Sequence, residues 1–366
     1  MKNYTCVFPG LYNYNLTKDV GMIPYTLSDR YDTHIATYDN DEYFYLEDEL
    51  KSDNFNLEYL ENTGDEKGDV LKYLKGNSKN IDILQLYHLK YNLLASYITA
   101  YKLRNRKGKI YLKLDANNEI IDFLIKRRGL LPSLRRLYAK IIFSKIDLIS
   151  IETRRNYNLL KDFISEDRLL YIPNGITKSD IGLDDKEKTI LYVGYVEKKN
   201  KSIDLLMDAF GKCVSDDWKL VLIGKIEEDM KEFLNDFFKK NPQLKDRIIL
   251  KGYISDKNVL SAEYAKSSIY CCTSRSESFG ISTLEAAYFG NYIISTDVGA
   301  SKDIIEKTGY GQIVEHESES LEKALKDAML NWESITENPY AKQSIVYDNF
   351  NWESICDKIV EKIEKK

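Results

Sequence analysis

The chain has 366 residues, 43% of them hydrophobic and 30% charged, with a formal net charge of −5. That length suits two domains better than one core, and the composition excludes global disorder. No run approaches the ~18–20 apolar residues of a membrane span.

Met1 to Phe8 reads as an opening strand without a secretion signal. Strand-like runs follow at 34–38, 81–87, 110–114 and 146–151, after the first at 4–8. Helical patterns fall near 19–29, 68–76, 92–105, 119–126, 132–143 and 153–162. Pro173, Asn174 and Gly175 then open a polar linker. Beyond it, strands are expected near 189–193, 218–223, 247–251, 268–273, 291–295 and 312–314. Helices are expected near 202–213, 226–239, 257–265, 280–289, 301–307 and 319–331. Such alternation predicts parallel sheets covered by helices on both faces. The fold class is α/β, with two doubly wound Rossmann-like domains, 1–175 and 176–347, facing a central cleft. Ligands of such sheets bind at the carboxyl ends of strands.

Cys6, Cys213, Cys271, Cys272 and Cys356 show neither metal-ligand spacing nor a disulfide framework. The chain therefore reads as cytoplasmic and reduced. The pairs Asp184-Asp185 and Asp216-Asp217 read as surface acids, so no metal site is expected. From 101 to 140 the charge is strongly uneven: twelve basic residues oppose only Asp115, Glu119 and Asp122. Apolar and basic residues alternate through 123–138, a composition that suits an anionic membrane surface or a solvated helix face. No nucleic-acid motif accompanies the charge, so nucleic acid is not an expected partner.

The most informative stretch runs from Glu277 to Glu285. Two carboxylates flank Gly280 at a loop-to-helix junction. A helix starting there presents free N–H groups and a positive dipole end, suited to a diphosphate. Each carboxylate can accept hydrogen bonds from sugar hydroxyls.

The pieces around it resemble the retaining GT-B glycosyltransferases of family 4, glycosyl transferases group 1. The pieces are Tyr171-Ile172-Pro173-Asn174-Gly175-Ile176, Ile190-Leu191-Tyr192-Val193-Gly194 and Lys219-Leu220-Val221-Leu222-Ile223-Gly224. After them come Gly252-Tyr253-Ile254, Ser274 to Gly280 with Glu285-Ala286, Asn291 to Ala300, and Phe350-Asn351-Trp352-Glu353. The resemblance covers roughly 170–366, in the family's order.

It implies a transferase moving a hexose from a nucleotide-diphosphate sugar, UDP-linked in the leading reading. The acceptor would be a hydroxyl of a cell-surface glycan or lipid-linked precursor. Neither cofactor nor metal is implied, the nucleotide sugar being a co-substrate. The second domain would hold the donor, the first the acceptor, and 348–366 would pack back on the first. Lys201 would stabilise charge on the departing diphosphate. Glu277 would hold the transferred sugar, and Glu285 the ribose. Gly194, Phe279, Gly280 and Ile281 would frame the phosphates and sugar, and Tyr253 and Ile254 the base. His88 would face the sugar's primary hydroxyl, although Gln85 or Tyr87 could take that place in a shifted register. Gly21, Lys113 and Asp115 would line the acceptor side. Location at the inner face of the plasma membrane would fit the basic segment.

One departure matters. Tyr195 stands where the family usually has an arginine, and a tyrosine brings no positive charge. Arg275 is the nearest candidate replacement. The alternative is a non-catalytic GT-B subunit that serves an active partner transferase.

Overall fold

The computed structural model describes residues 1–183, 185–213 and 217–366. They divide into two compact units, Met1–Gly175 with Asn351–Lys366, and Ile176–Phe350.

The first unit holds β1 (Lys2–Val7), β2 (Tyr31–Thr37), β3 (Phe55–Tyr59), β4 (Ile83–Tyr87), β5 (Lys109–Leu114), β6 (Leu148–Ile151) and β7 (Leu169–Tyr171). All pair in parallel, in the order β3-β2-β1-β4-β5-β6-β7. Its helices are α1 (Asp19–Leu27), α2 (Phe44–Asp48), α3 (Glu66–Asn77), α4 (Tyr91–Arg104), α5 (Asn118–Lys126), α6 (Leu130–Phe143) and α7 (Arg154–Leu160). Strands β3 and β7 and helix α2 go beyond the periodicity. Each is short, and β3 is an edge strand whose sequence Phe-Asn-Leu-Glu-Tyr buries only Phe55.

Strand β4 is buried along its whole length, as a central parallel strand must be. Its one polar residue is satisfied: Tyr4 donates to Gln85 Oε1 at 2.6 Å, and Gln85 Nε2 donates to Tyr87 Oη at 2.9 Å. Helices α5 and α7 start on side-chain caps, Asn117 accepting from Ile120 N–H and Thr153 from Asn156 N–H.

The second unit holds β8 (Glu187–Val193), β9 (Lys219–Ile223), β10 (Ile248–Gly252), β11 (Ser267–Cys272), β12 (Tyr292–Thr296) and β13 (Gly311–Val314). They too are parallel, in the order β10-β9-β8-β11-β12-β13. Helices α8 (Ile203–Gly211), α9 (Glu228–Lys240), α10 (Lys257–Lys266), α11 (Ile281–Tyr288), α12 (Ser301–Thr308) and α13 (Ser318–Leu330) match the periodicity closely. Helices α14 (Trp332–Thr336) and α15 (Pro339–Phe350) do not announce themselves, since α15 buries only Val346 and Phe350.

The last helix, α16 (Trp352–Glu364), starts on Asn351, whose side chain accepts from Ser354 N–H. It belongs to the first unit. Trp352, Ile355, Cys356, Ile359 and Ile363 are buried in one cluster with Val20, Met22, Ile23 and Leu27 of α1.

No helix among the described residues is long and apolar enough to cross a membrane. All five cysteines are buried free thiols.

Candidate functional site

In the second sheet, the chain runs outward in opposite directions from β8 and β11, which are neighbours. Their carboxyl ends therefore form the switch point at which such sheets bind ligands. Gly194 and Tyr195 follow β8, and Thr273 to Gly280 follow β11.

The two loops are latched together. Arg275 N–H donates to the Asn200 carbonyl at 2.7 Å, and Asn200 Nδ2 donates back to the Ser276 carbonyl at 3.2 Å. Thr273 Oγ1 donates to the Lys201 carbonyl at 2.8 Å. Lys201 Nζ then meets Glu277 Oε1 at 2.5 Å, and Ser274 Oγ donates to the same oxygen at 2.6 Å. The ammonium and carboxylate side chains are 18% and 20% exposed, so both keep an accessible edge. A lysine ammonium has three donors. Lys201 can therefore hold Glu277 and still reach an anion.

The next strand supports the acid from behind. Ala300 N–H donates to the Phe279 carbonyl at 2.7 Å. A Cβ on Gly299 would sit 2.3 Å from that carbonyl oxygen and 3.0 Å from Glu277 Cβ, so only glycine fits there. Gly280 caps α11 with φ of 90°, leaving the first N–H groups of Ile281 and its successors to open the helix. One turn in, Glu285 Oε2 accepts from Tyr264 Oη at 2.9 Å, and the Tyr264 ring stacks on Phe289. Phe279 is buried, whereas Arg275, Tyr195 and Tyr253 are exposed and Ile254 is half-buried. Tyr195 also accepts through its carbonyl from Tyr192 Oη.

Two contributors escape sequence reasoning. Ser202 is buried at a left-handed φ of 51°, and its Oγ lies 2.9 Å from His316 Nε2. His316 thus fixes the turn that carries Lys201. Nothing local in the sequence signals a contact spanning 114 positions.

In the first unit, Gln85 and Tyr87 are buried, and His88 is the residue of the three that reaches the surface. It adopts φ of 63°, uncommon for a side-chain-bearing residue and typical of functional loops. Its Nδ1 lies 3.8 Å from Asp115 Oδ2, at the carboxyl end of β5. Gly21 lies within α1, where the backbone pressed against it is that of Leu16.

Lys113 is fully buried. Its Nζ lies 2.8 Å from Asp19 Oδ2, contacts Glu152 Oε1, and donates to Asn174 Oδ1 at 3.2 Å. Burial works against this ammonium, but the Asp19 and Glu152 charges outweigh it and hold its pKa above the usual value. Burial also pushes Glu152 up to about 7, with Asp115 and Asp19 adding to the shift and Lys113 opposing it. One ammonium cannot neutralise three carboxylates. Asp19 and Glu152 share this ammonium, and Glu152 Oε2 has no hydrogen-bond partner.

The sign of the stability effect follows. A carboxyl raised from 4.5 to about 7 on folding lends stability below its unfolded value, lost as pH rises through about 7. A shift of this size is worth up to about 3 kcal/mol. Urea unfolding at pH 5 and pH 8 should show the wild type losing stability over this interval, and Glu152→Gln losing distinctly less. Parallel pH profiles would contradict the assignment.

Among the described residues no cluster of three or more His, Cys, Asp or Glu is placed to hold a metal. Asp184 and Asp216, of the two surface acid pairs, lie outside the described residues.

Two parallel doubly wound sheets, the second with a Lys–Glu pair and a glycine-capped helix at its switch point, define the GT-B class. Residues 175–344 match the family model of glycosyl transferases group 1. A probable sucrose-phosphate synthase of Thermosipho melanesiensis is 25% identical over 55% of this chain and 48% of its own length. The N-acetyl-alpha-D-glucosaminyl L-malate synthase of Bacillus anthracis is 26% identical over 63% of this chain and 61% of its own. The chain thus spans about half the length of the first of these curated relatives. Among solved structures, sucrose-phosphate synthase of Thermosynechococcus elongatus superposes with a TM-score of 0.73 at 15% identity, covering 100% of this chain and 99% of that one. Anabaena HepE in complex with UDP superposes at 0.72 with 14% identity, over 100% of both chains. At such identities the likeness speaks to fold alone.

Proposed function

We propose that the protein is a retaining, metal-independent hexosyltransferase that uses a nucleotide-diphosphate sugar, UDP-linked, and delivers the hexose to a hydroxyl of a glycan or lipid-linked precursor. The observation that carries the reading is the Lys201–Glu277 pair at the β8/β11 switch point. Beside it, the α11 N-terminus offers N–H groups to a diphosphate.

In this reading Lys201 and the α11 N-terminus stabilise the charge that grows on the departing diphosphate. Glu277 holds hydroxyls of the hexose and Glu285 the ribose. Gly194, Tyr195, Arg275, Phe279, Gly280 and Ile281 surround phosphates and sugar, and Tyr253 and Ile254 the base. The acceptor oxygen attacks from the face the diphosphate leaves, and the leaving phosphate oxygen takes its proton. His88, Asp115, Lys113 and Gly21 belong to the acceptor side. Lys113 acts there by fixing Asp19 and Glu152, because its own ammonium is enclosed. The UDP held by Anabaena HepE, a neighbour in fold, supports the choice of donor. The reaction would take place in the cytoplasm, at the inner face of the plasma membrane.

The test is release of nucleoside diphosphate from a panel of UDP-, GDP- and ADP-sugars. Slow hydrolysis of one donor is the expected result. Absence of binding and of turnover for every donor would sink the proposal.

Tyr195 favours a second reading, the non-catalytic partner subunit. Its side chain is 57% exposed, so an arginine there meets no steric barrier. On the catalytic reading, Tyr195→Arg adds a cation beside the phosphates and should raise kcat/KM about tenfold. If wild type and variant are equally silent, the partner-subunit reading gains.

A further inference from the structure

Helix α6 has two apolar faces. One, formed by Ala139, Ile142 and Phe143, is buried in the core of the first unit. Opposite it stand Leu130, Leu134, Leu137 and Ile141, with exposures of 78, 54, 58 and 53%. Steps of four, three and four residues align them in one row. Single exposed leucines are ordinary, but a contiguous row over three turns is not.

The charges of α6 and of the turn before it are of one sign. Arg127, Arg128, Arg135 and Lys140 are exposed, and no carboxylate among the described residues pairs with them. On α5, Asp122 is engaged elsewhere, holding Arg155 at 2.7 Å and Lys126 at 3.0 Å. The Arg127 and Arg135 guanidiniums lie 4.4 and 5.5 Å from the Phe123 ring centroid, which joins α5 to the same surface. This cationic face sits on a chain whose net charge is −5.

We propose that the outer face of α6 docks on an anionic lipid bilayer. The leucine row enters the headgroup boundary, while Arg127, Arg128 and Lys140 meet lipid phosphates. A helix apolar along one side and cationic beside it lies in the plane of such an interface. A second copy of the chain fits less well, because a two-fold contact sets the same one-signed cationic patch against itself. Nucleic acid would leave the leucines against phosphates.

The placement also bears on the acceptor. Helix α5 begins three residues after Asp115, and α6 ends at Phe143, before β6 starts at Leu148. The Leu130 end of α6 therefore lies toward the sheet edge that carries Asp115 and His88. Docked this way, the first unit meets acceptors carried by lipid, so the acceptor is a lipid-linked glycan. That second conclusion rests on the transferase reading, and the docking does not.

The test uses the full chain in co-sedimentation with phosphatidylcholine vesicles, with and without phosphatidylglycerol. Binding is expected only with phosphatidylglycerol, weakening as salt rises. Arg127→Ala and Arg128→Ala should each weaken it about fivefold. The Leu134→Glu, Leu137→Glu double variant should abolish it with an unchanged urea midpoint, since both sites are exposed. No binding to phosphatidylglycerol vesicles, or equal binding by all variants, would overturn the proposal. So would a wild-type dimer in light scattering that the double variant dissolves, which would assign the face to a second copy. Vesicle binding without turnover of any nucleotide sugar would leave the docking standing and remove the lipid-linked acceptor together with the transferase reading.

Discussion

Lys201→Met should lower kcat/KM for the proposed transfer by about 10²–10³, in line with loss of one preorganised charge at a developing anion. The methionine keeps most of the apolar stem, so packing beneath the ammonium survives. Thermodynamic stability should barely move, because a partly exposed ion pair is worth about 1 kcal/mol or less. The two readouts together separate a role in chemistry from a role in folding. The lysine sits on a turn held by Thr273 and, through Ser202, by His316. Its ammonium is thereby aimed before any substrate arrives. Initial rates of nucleoside diphosphate release and urea midpoints of both proteins decide the matter. A loss of rate under threefold, or a large fall in stability with a proportionate loss of rate, would refute the role.

How much of the fold and the site is legible in the sequence depends on how local each signal is. Strands β8, β9 and β11 are short apolar runs ended by glycine or small polar residues, and each lies where its pattern puts it. The switch-point loops follow directly from those strands, so Gly194, Lys201, Glu277 and Glu285 can be picked out from spacing and resemblance. Helix α15 is hidden because its sequence, Pro-Tyr-Ala-Lys-Gln-Ser-Ile-Val-Tyr-Asp-Asn-Phe, has no clear apolar stripe. Strand β3 is hidden because an edge strand loses little by exposing Asn56 and Tyr59. The charge cluster is invisible for another reason. Lys113, Glu152 and Asn174 follow or end three different strands, and Asp19 opens a helix. Only the parallel register of β5, β6 and β7 brings them together. Its place at a strand end marks Lys113 for the acceptor side, but nothing in the sequence shows that its ammonium is enclosed. Burial makes it the opposite of a free surface cation.

Glu277→Gln is the sharper test of the sugar-side assignment, because it keeps shape and removes charge. Ser274 can still donate to the amide oxygen, so the loop should hold its place. The amide can no longer give the hexose hydroxyls a charge-assisted acceptor, nor Lys201 a counter-ion. Charge-assisted hydrogen bonds are about twice as strong as neutral ones. If Glu277 tightens on the hexose as the glycosidic bond breaks, kcat should fall by about 10²–10³, with KM for the donor changing much less. Glu277→Asp retains the charge but withdraws it by one methylene, and a displacement near 1 Å costs about 10²-fold in an oriented site. Glu285→Gln should behave differently. Its partner Tyr264 lies in the core and its proposed ligand is the ribose, remote from the reacting carbon. Binding of that kind is uniform between ground and transition states, so its loss should appear mainly in KM. Steady-state kinetics of the three variants with one donor give the result directly. Equal effects of the two glutamine variants on kcat would show that the carboxylates do not divide the donor between sugar and nucleoside, and the assignment of Glu277 to the hexose would fall.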